Sequence, residues 1–414
     1  MLRTASAKRK KIATLLAFSS IPLSGFITDI YLPSFPSMAR DLQVSEHQIQ
    51  ITLTVFFLSY GISQLFIGSI LDNIGRYRPR LVALVVLTVC SLLITLTTDV
   101  LLISMLRVIQ GVAISVVVIS TRAFFVDLYK GEQLKHYLSF FTMVWSCGPI
   151  LAPFLGGYLE KYFNWQANFY FLAAYALVLL VLDLIYGGET IEKFKKFNMV
   201  EVLSSYKMML TNRMFILGIV TLGFSYSVVM VFNISGPFVL ENNMHFNSVV
   251  IGYCTLILGF SWMIGGYLSK RLGGLNFDKQ ILYCALVQIG LVIALVVISP
   301  HYEHLAILIS FAFLVHICSG FLYTIFFTRS MLFFPKNAGI AGGLLGGLVY
   351  IFTSISSYLI SSVGHIDTQG DLSLRYLVTS LLLLVIVCCT VYLHRKYFAI
   401  DTVPTLTPVV EEKE

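Results

Sequence analysis

The sequence predicts an all-α polytopic membrane protein: twelve transmembrane helices arranged as two pseudo-symmetric six-helix bundles. Three observations carry this. The chain of 414 residues is 57% hydrophobic and only 12% charged, about half the charged content of a soluble globular domain. Apolar runs of roughly 20 residues, the length that crosses a bilayer, recur from end to end. Glycines recur at matching places in the two halves: "GSILDNIG" follows the second run and "GYLSKRLG" the eighth.

The expected spans cover residues 12–34, 47–70, 80–98, 100–126, 137–158, 165–187, 214–238, 246–268, 280–299, 304–328, 338–361 and 373–394 (spans 1 to 12). Backbone groups in lipid must satisfy one another, and uninterrupted runs of this length do so as helices rather than barrel strands. The opening "MLRTASAKRKK" has the charge of a signal peptide. The apolar run behind it is too long and lacks a small-residue cleavage site, so it is read as span 1. The organisation expected is an N-terminal half (1–187), a basic, partly amphipathic linker (188–213), a C-terminal half (214–398) and a tail (399–414).

The net charge of +7 reports orientation rather than nucleic-acid binding. With the N-terminus inside, 24 of the 28 Lys and Arg residues fall on the inner side; Arg40, Lys161 and Arg375 fall outside and Arg107 lies within span 4. Both termini are therefore expected in the cytoplasm. Cys90, Cys147, Cys254, Cys284, Cys318, Cys388 and Cys389 all sit in apolar runs without ligand spacing, so neither a metal nor a disulfide framework is expected. No phosphate-binding loop, catalytic triad or cofactor box occurs, which argues against an enzyme and against an ATP-driven pump.

Well inside the apolar runs, span 1 carries one carboxylate, Asp29, and span 4 one guanidinium, Arg107. Asp29 lies about five residues and Arg107 about seven below the outer ends of their spans, roughly 8 and 10 Å at 1.5 Å per residue. Arginine inside the bilayer costs roughly 2.5–3.5 kcal/mol on insertion scales and needs a partner or a wet cavity. At matching depth the two residues are expected to pair. Arginine stays charged. A carboxyl held beside it keeps its charge and, drawn away into an apolar cavity, takes up a proton. Such a pair is a proton-coupling device that needs no cofactor; the alternative is a purely structural ion pair.

"GSILDNIGRYRPR" closes span 2, with Gly68 and Gly75 permitting close packing and a tight turn and Asp72 standing beside Arg76, Arg78 and Arg80. Asp72 is expected to pair with Arg122 at the inner end of span 4 and with the dipole of a facing helix, forming a latch that one conformer makes and another breaks. "GPILAPFLGG" in span 5 places Gly148, Pro149, Pro153, Gly156 and Gly157 on a helix built for tight packing.

These stretches, with "TDIYLPSFP" in span 1, "TRAFFVDLY" after span 4 and "NWQANF" opening span 6, resemble the drug:proton antiporters of the major facilitator superfamily. The resemblance is closest to the bicyclomycin-resistance (Bcr/CflA-type) branch. It covers the whole first half and thins in the second, where "ISGPFVL" and "AGIAGGLLGGL" match. It implies the major facilitator fold. It also implies gating roles for Asp72 and Arg122, the embedded basic position for Arg107, the antiporter motif for Gly148 and Pro149, and the branch's span 1 acid for Asp29. Tyr77 and Pro79 interrupt the usual basic cluster, and Lys270 replaces the acid in the second-half copy.

The function expected is a proton-coupled exporter of small amphipathic molecules in a bacterial inner membrane, working as a monomer by alternating access. Its partners would be protons, the small-molecule substrate and the bilayer, with no nucleic acid. Alternatives are a dedicated exporter of one endogenous metabolite, such as a siderophore, and an uptake symporter, which the span 5 pattern disfavours. Candidate pocket residues are Asp29, Tyr60, Arg107, Phe141, Trp145 and Tyr226, with Phe232, Asn233, Tyr253, His316 and Tyr323. His316, the only intramembrane histidine, is either a hydrogen-bonded packing residue or a second proton site.

Overall fold

Short polar residues set where the helices begin. In the computed structural model, which describes residues 1–192, 194, 196–334, 338–364 and 366–398, Ser45 and Gln48 form a reciprocal capping box at the start of the second span. Asp99, Asn212, Asn247 and Asn276 accept first-turn N–H groups at the starts of later ones. Twelve helices are long and apolar enough to cross a bilayer. They run Ala7–Asp41, Glu46–Ile74, Tyr77–Thr95, Val100–Leu128, Gly131–Tyr162, Gln166–Tyr186, Arg213–Asn243, Ser248–Arg271, Phe277–Ile298, Leu305–Leu332, Ile340–Ser362 and Gln369–Lys396 (spans 1 to 12). The expected tail, 399–414, lies outside the described residues, as do Lys193, Lys195 and Lys336 of the charge count.

Span 1 departs from the single helix expected over 12–34. It consists of Ala7–Ser20, Leu23–Asp29, a tight turn at Leu32–Ser34 and Phe35–Asp41. Pro22, Pro33 and Pro36 lack the N–H that would continue the ladder. The linker also holds more structure than expected: a helix, Met199–Leu210, whose Val202, Tyr206 and Met209 are buried in the C-terminal core.

One apolar core gathers spans 1 to 6, span 5 through Ala152, joined by Met230, Ile234 and Phe238 of span 7. A second gathers spans 7 to 12. Span 2 packs on spans 4 and 11, span 5 on spans 1 and 8, span 3 on span 6, and span 9 on span 12. Glycine permits the closest approaches: a Cβ on Gly61 would lie 2.7 Å from the Gly347 carbonyl of span 11. The start of span 1 and the end of span 12 lie at one end, called here the terminal end. At the distal end Arg40 meets Glu241 at 2.5 Å, Asn242 donates to Glu46 at 2.8 Å, and Gln50 donates to the Ile234 carbonyl at 3.2 Å. These bonds join the two halves there.

Inside each half, an acid is paired with basic side chains near the terminal end. Arg80 of span 3 lies 2.7 Å from Asp183 of span 6. In the other half, His394 of span 12 lies 2.8 Å from Asp278 of span 9, with Arg395 at 3.4 Å.

Candidate functional site: a cavity between the halves

Breaking span 1 at Asp29 sets a carboxylate at a helix end instead of inside a ladder. Asp29 is 2% exposed; Oδ2 accepts from Thr28 Oγ1 at 3.0 Å, and Oδ1 has no hydrogen-bond partner among the described residues. It faces a cavity of about 90 Å³ bounded by spans 1, 5, 7, 8, 10 and 11. Binding pockets for drug-sized ligands run to roughly 300–1,000 Å³, so this cavity is in a narrowed state.

Of the expected pocket residues, Asp29, Trp145, Tyr226, Asn233, His316 and Tyr323 line this cavity together. Trp262 and Tyr350, not singled out for the pocket, complete an aromatic wall: Tyr226 has ring centroids 6.0 Å from Trp262, 6.4 Å from Tyr323 and 6.2 Å from Tyr350. The other expected lining residues lie elsewhere. Tyr60 packs behind the wall, 4.6 Å from Tyr350. Phe232 is fully buried in the C-terminal core. Phe141 packs one turn below Trp145 against Phe125 at 6.1 Å. Tyr253 points away from the cavity and hydrogen-bonds Tyr158 at 3.0 Å. Each is turned by its helix toward a neighbour that takes its ring.

Arg107 also differs from expectation. The direct pair with Asp29 does not form. Arg107 is fully buried; Nη1 donates to the Ile27 carbonyl and to Gln110 Oε1, both at 2.9 Å. Its guanidinium lies 4.6 Å from the Tyr31 ring centroid and 4.3 Å from that of Phe56. The break in span 1 explains this choice. The last carbonyls of a helix have no intrahelical partner, and Ile27 belongs to the last turn before Asp29. That orphan carbonyl and two ring faces satisfy the cation, which reaches Asp29 only through space.

The expected latch is likewise rewired. Asp72 pairs with Arg76 at 2.8 Å rather than with Arg122. Four residues apart, the two side chains stand on one face. Arg76 also grips Asp127 and donates to the Ala123 carbonyl at 3.1 Å. The main-chain N–H groups of Arg76 and Tyr77 donate to Glu189 Oε2 of the linker at 2.9 and 3.1 Å. Gly75 turns with φ +94°, a conformation L side chains rarely adopt, and a Cβ there would lie 2.6 Å from that same oxygen. Arg122 instead reaches across to span 11, where a Cβ on Gly342 would meet Nη1 at 3.4 Å. A Cβ on Gly68, the remaining latch glycine, would meet only Ile119, at 4.0 Å. Asp127 stands in "TRAFFVDLY" and Glu189 opens the linker; neither was singled out from sequence.

The span 5 motif forms two seams. Toward span 1, a Cβ on Gly148 would lie 2.8 Å from the Pro22 carbonyl, and Gly156 abuts Ile30. Toward span 8, Gly157 abuts Ser248, which donates to the Gly157 carbonyl at 3.1 Å, and a Cβ on Gly252 would lie 2.7 Å from the Pro153 carbonyl. Pro149 lines the cavity where the seams diverge.

Comparison with known proteins agrees with this architecture. The Major Facilitator Superfamily model matches residues 17–365. The MFS-type transporter YdgK of Bacillus subtilis (strain 168) is 28% identical over 367 residues, 87% of this chain and 91% of that one. Multidrug resistance protein D of Escherichia coli (strain K12) is 27% identical over 366 residues, covering 87% and 90%. A bicyclomycin resistance protein homolog of Haemophilus influenzae is 36% identical over 182 residues, 44% of this chain and 45% of that one. These relatives support the resemblance to the bicyclomycin-resistance branch. A bacterial homolog of the human lysosomal transporter Spinster, in an inward-facing and occupied conformation, superposes with TM-score 0.76 at 12% identity, covering 97% of this chain and all of the other; it shows the same fold. With the family model spanning most of the chain and the twelve-helix architecture in place, this protein belongs to the Major Facilitator Superfamily.

Proposed function

We propose that the chain is a proton-driven exporter of small amphipathic compounds, drugs among them, by alternating access. It would sit in a bacterial inner membrane with both termini in the cytoplasm. The observation that carries this is Asp29, buried with a free oxygen, in an aromatic cavity between the two halves. A carboxyl there is either protonated or engaged by a donor group on substrate. Exclusive occupancy of one group by proton or substrate is what exchange requires, and intramembrane acids are functional by default. Arg107 acts as a positioning residue, holding the chain two residues before Asp29 through the Ile27 carbonyl. The names of the bicyclomycin- and multidrug-resistance relatives favour export of foreign compounds over a single endogenous product. Because one chain forms the whole cavity, a monomer suffices. Opening the distal end would require the Arg40–Glu241 and Glu46–Asn242 links to part.

The test is uptake of ethidium and uncharged amphipathic dyes into proteoliposomes under an imposed pH gradient. Gradient-driven accumulation in the direction opposite to proton flow supports the reading. Movement indifferent to the gradient, or along with the proton, overturns antiport.

A further inference from the structure

We infer that the cavity recognises its substrate at two polar points, one from each half: the carboxyl of Asp29 accepts a hydrogen bond at one wall, and Nδ1–H of His316 donates one at the other. The substrate class is an aromatic amphiphile with an N–H or O–H donor at one end and a carbonyl or carboxylate acceptor at the other. This rests on the exporter reading for its purpose but not for its geometry.

Two residues that line this cavity each carry a buried side-chain atom with no hydrogen-bond partner among the described residues: Asp29 Oδ1 on span 1 and His316 Nδ1 on span 10. His316 is fully buried. Leaving a buried polar atom unpaired costs about 1–3 kcal/mol, so two such atoms on residues lining one space point to a ligand that satisfies both. Which role Nδ1 plays follows from its other nitrogen. Nε2 lies 3.0 Å from the hydroxyl of Tyr376 in span 12, also fully buried. That is the hydroxyl's only hydrogen bond among the described residues. With a ligand acceptor at Nδ1, giving the hydroxyl proton to Nε2 satisfies every group, whereas the reverse arrangement strands a buried O–H whatever is bound. In the neutral ring an accepting Nε2 leaves the hydrogen on Nδ1. The cavity thus offers an acceptor on one wall, a donor on the other, and between them the rings of Tyr226, Trp262 and Tyr323, which suit a flat apolar body.

The test uses two probes sharing an aromatic body and a primary ammonium. One, phenylalanine β-naphthylamide, carries an amide carbonyl; the other has a methylene in its place. Calorimetry on the purified full chain in detergent reads Kd for both. The carbonyl probe should bind about fivefold tighter, the scale of one neutral hydrogen bond. His316→Phe should bring the two together, and His316→Gln, which keeps an amide donor, should restore part of the preference. Asp29→Asn should weaken both probes and leave their ratio intact. Equal binding of both probes to the parent, an unchanged ratio in His316→Phe, or no binding of either overturns the inference. If His316→Phe loses its thermal transition, Tyr376→Phe replaces it. Freed of the hydroxyl, the ring can present either tautomer, and the ratio should fall; a ratio that holds overturns the inference. A chain that binds with the expected ratio but transports neither probe keeps this site and removes the exporter reading. A chain that exports both probes with no preference does the reverse.

Discussion

Arg107 holds the Ile27 carbonyl at 2.9 Å, two residues before Asp29, and so fixes the place where span 1 breaks. The cation is anchored to that carbonyl and to Gln110 Oε1, and its Nε and Nη2 have no hydrogen-bond partner among the described residues. Removing it leaves the Ile27 carbonyl and Gln110 Oε1 without their donor, and a buried polar group left unpaired costs about 1–3 kcal/mol. Arg107→Met should therefore lower the melting temperature on that scale while gradient-driven transport falls at least tenfold. A large loss of melting temperature with transport intact would show that Arg107 holds up the fold rather than the site.

Asp29→Asn should insert and fold, since the amide replaces the carboxyl at nearly the same volume and still accepts from Thr28. Downhill movement of substrate should survive and accumulation under a pH gradient should vanish. Retained accumulation would sink the proposal that Asp29 is the coupling acid.

At the terminal end, Asp127 should outrank Asp72. The Arg76–Asp127 side chains are 15% and 13% exposed, whereas Asp72 is 38% exposed. Exposed pairs are worth roughly 0–1 kcal/mol. Asp72→Asn should slow transport a few-fold at most and Asp127→Asn considerably more, with labelling of a cysteine placed at Arg78 rising in the same order. Gly75→Ala should cost roughly 1–3 kcal/mol, because φ +94° with ψ 168° is a backbone region essentially reserved for glycine, read as a lowered melting temperature.

The distal bridge is a weak one. Arg40 is 59% exposed, so Arg40→Ala should change the accessibility of a cysteine at Asn233 by no more than about fivefold, and high salt should mimic it in the parent. A larger, salt-independent change would mean that Arg40 and Glu241 hold the distal end on their own.

Run length and lone charges made much of this legible in advance. Lipid forces every crossing segment into a long apolar helix, so twelve runs became twelve spans. Asp29 and His316 stood out as chemistry out of place, and both line the cavity. Rotation about each helix axis was not legible. In a soluble helix a polar stripe marks the outward face; here the lipid-facing and packed faces are both apolar. Nothing in sequence therefore separated Tyr226, which lines the cavity, from Phe232, which is buried away from it. Depth suggested Asp29 for Arg107, but depth carries no azimuth, and the orphan Ile27 carbonyl exists only because span 1 breaks. Asp72 found Arg76 by helix geometry, while its expected partner Arg122 turned to the other half.

The two halves settle their inner charges with opposite polarity. Span 3 brings the cation, Arg80, to the acid of span 6, Asp183; span 9 brings the acid, Asp278, to the basic side chains of span 12, His394 and Arg395. The likeness between repeats is a hazard while a chain is being threaded into the bilayer, because a late span can dock on its predecessor's counterpart. Reversed polarity guards against that error. Span 9 laid against span 6 would set Asp278 beside Asp183, and span 3 laid against span 12 would set Arg80 beside Arg395. Exchanging Arg80 with Asp183 keeps the bridge but removes the guard, and more protease-sensitive, wrongly assembled chain should follow. Opposite polarity at the two bridges would thus mark, for each newly inserted helix, which repeat it belongs to.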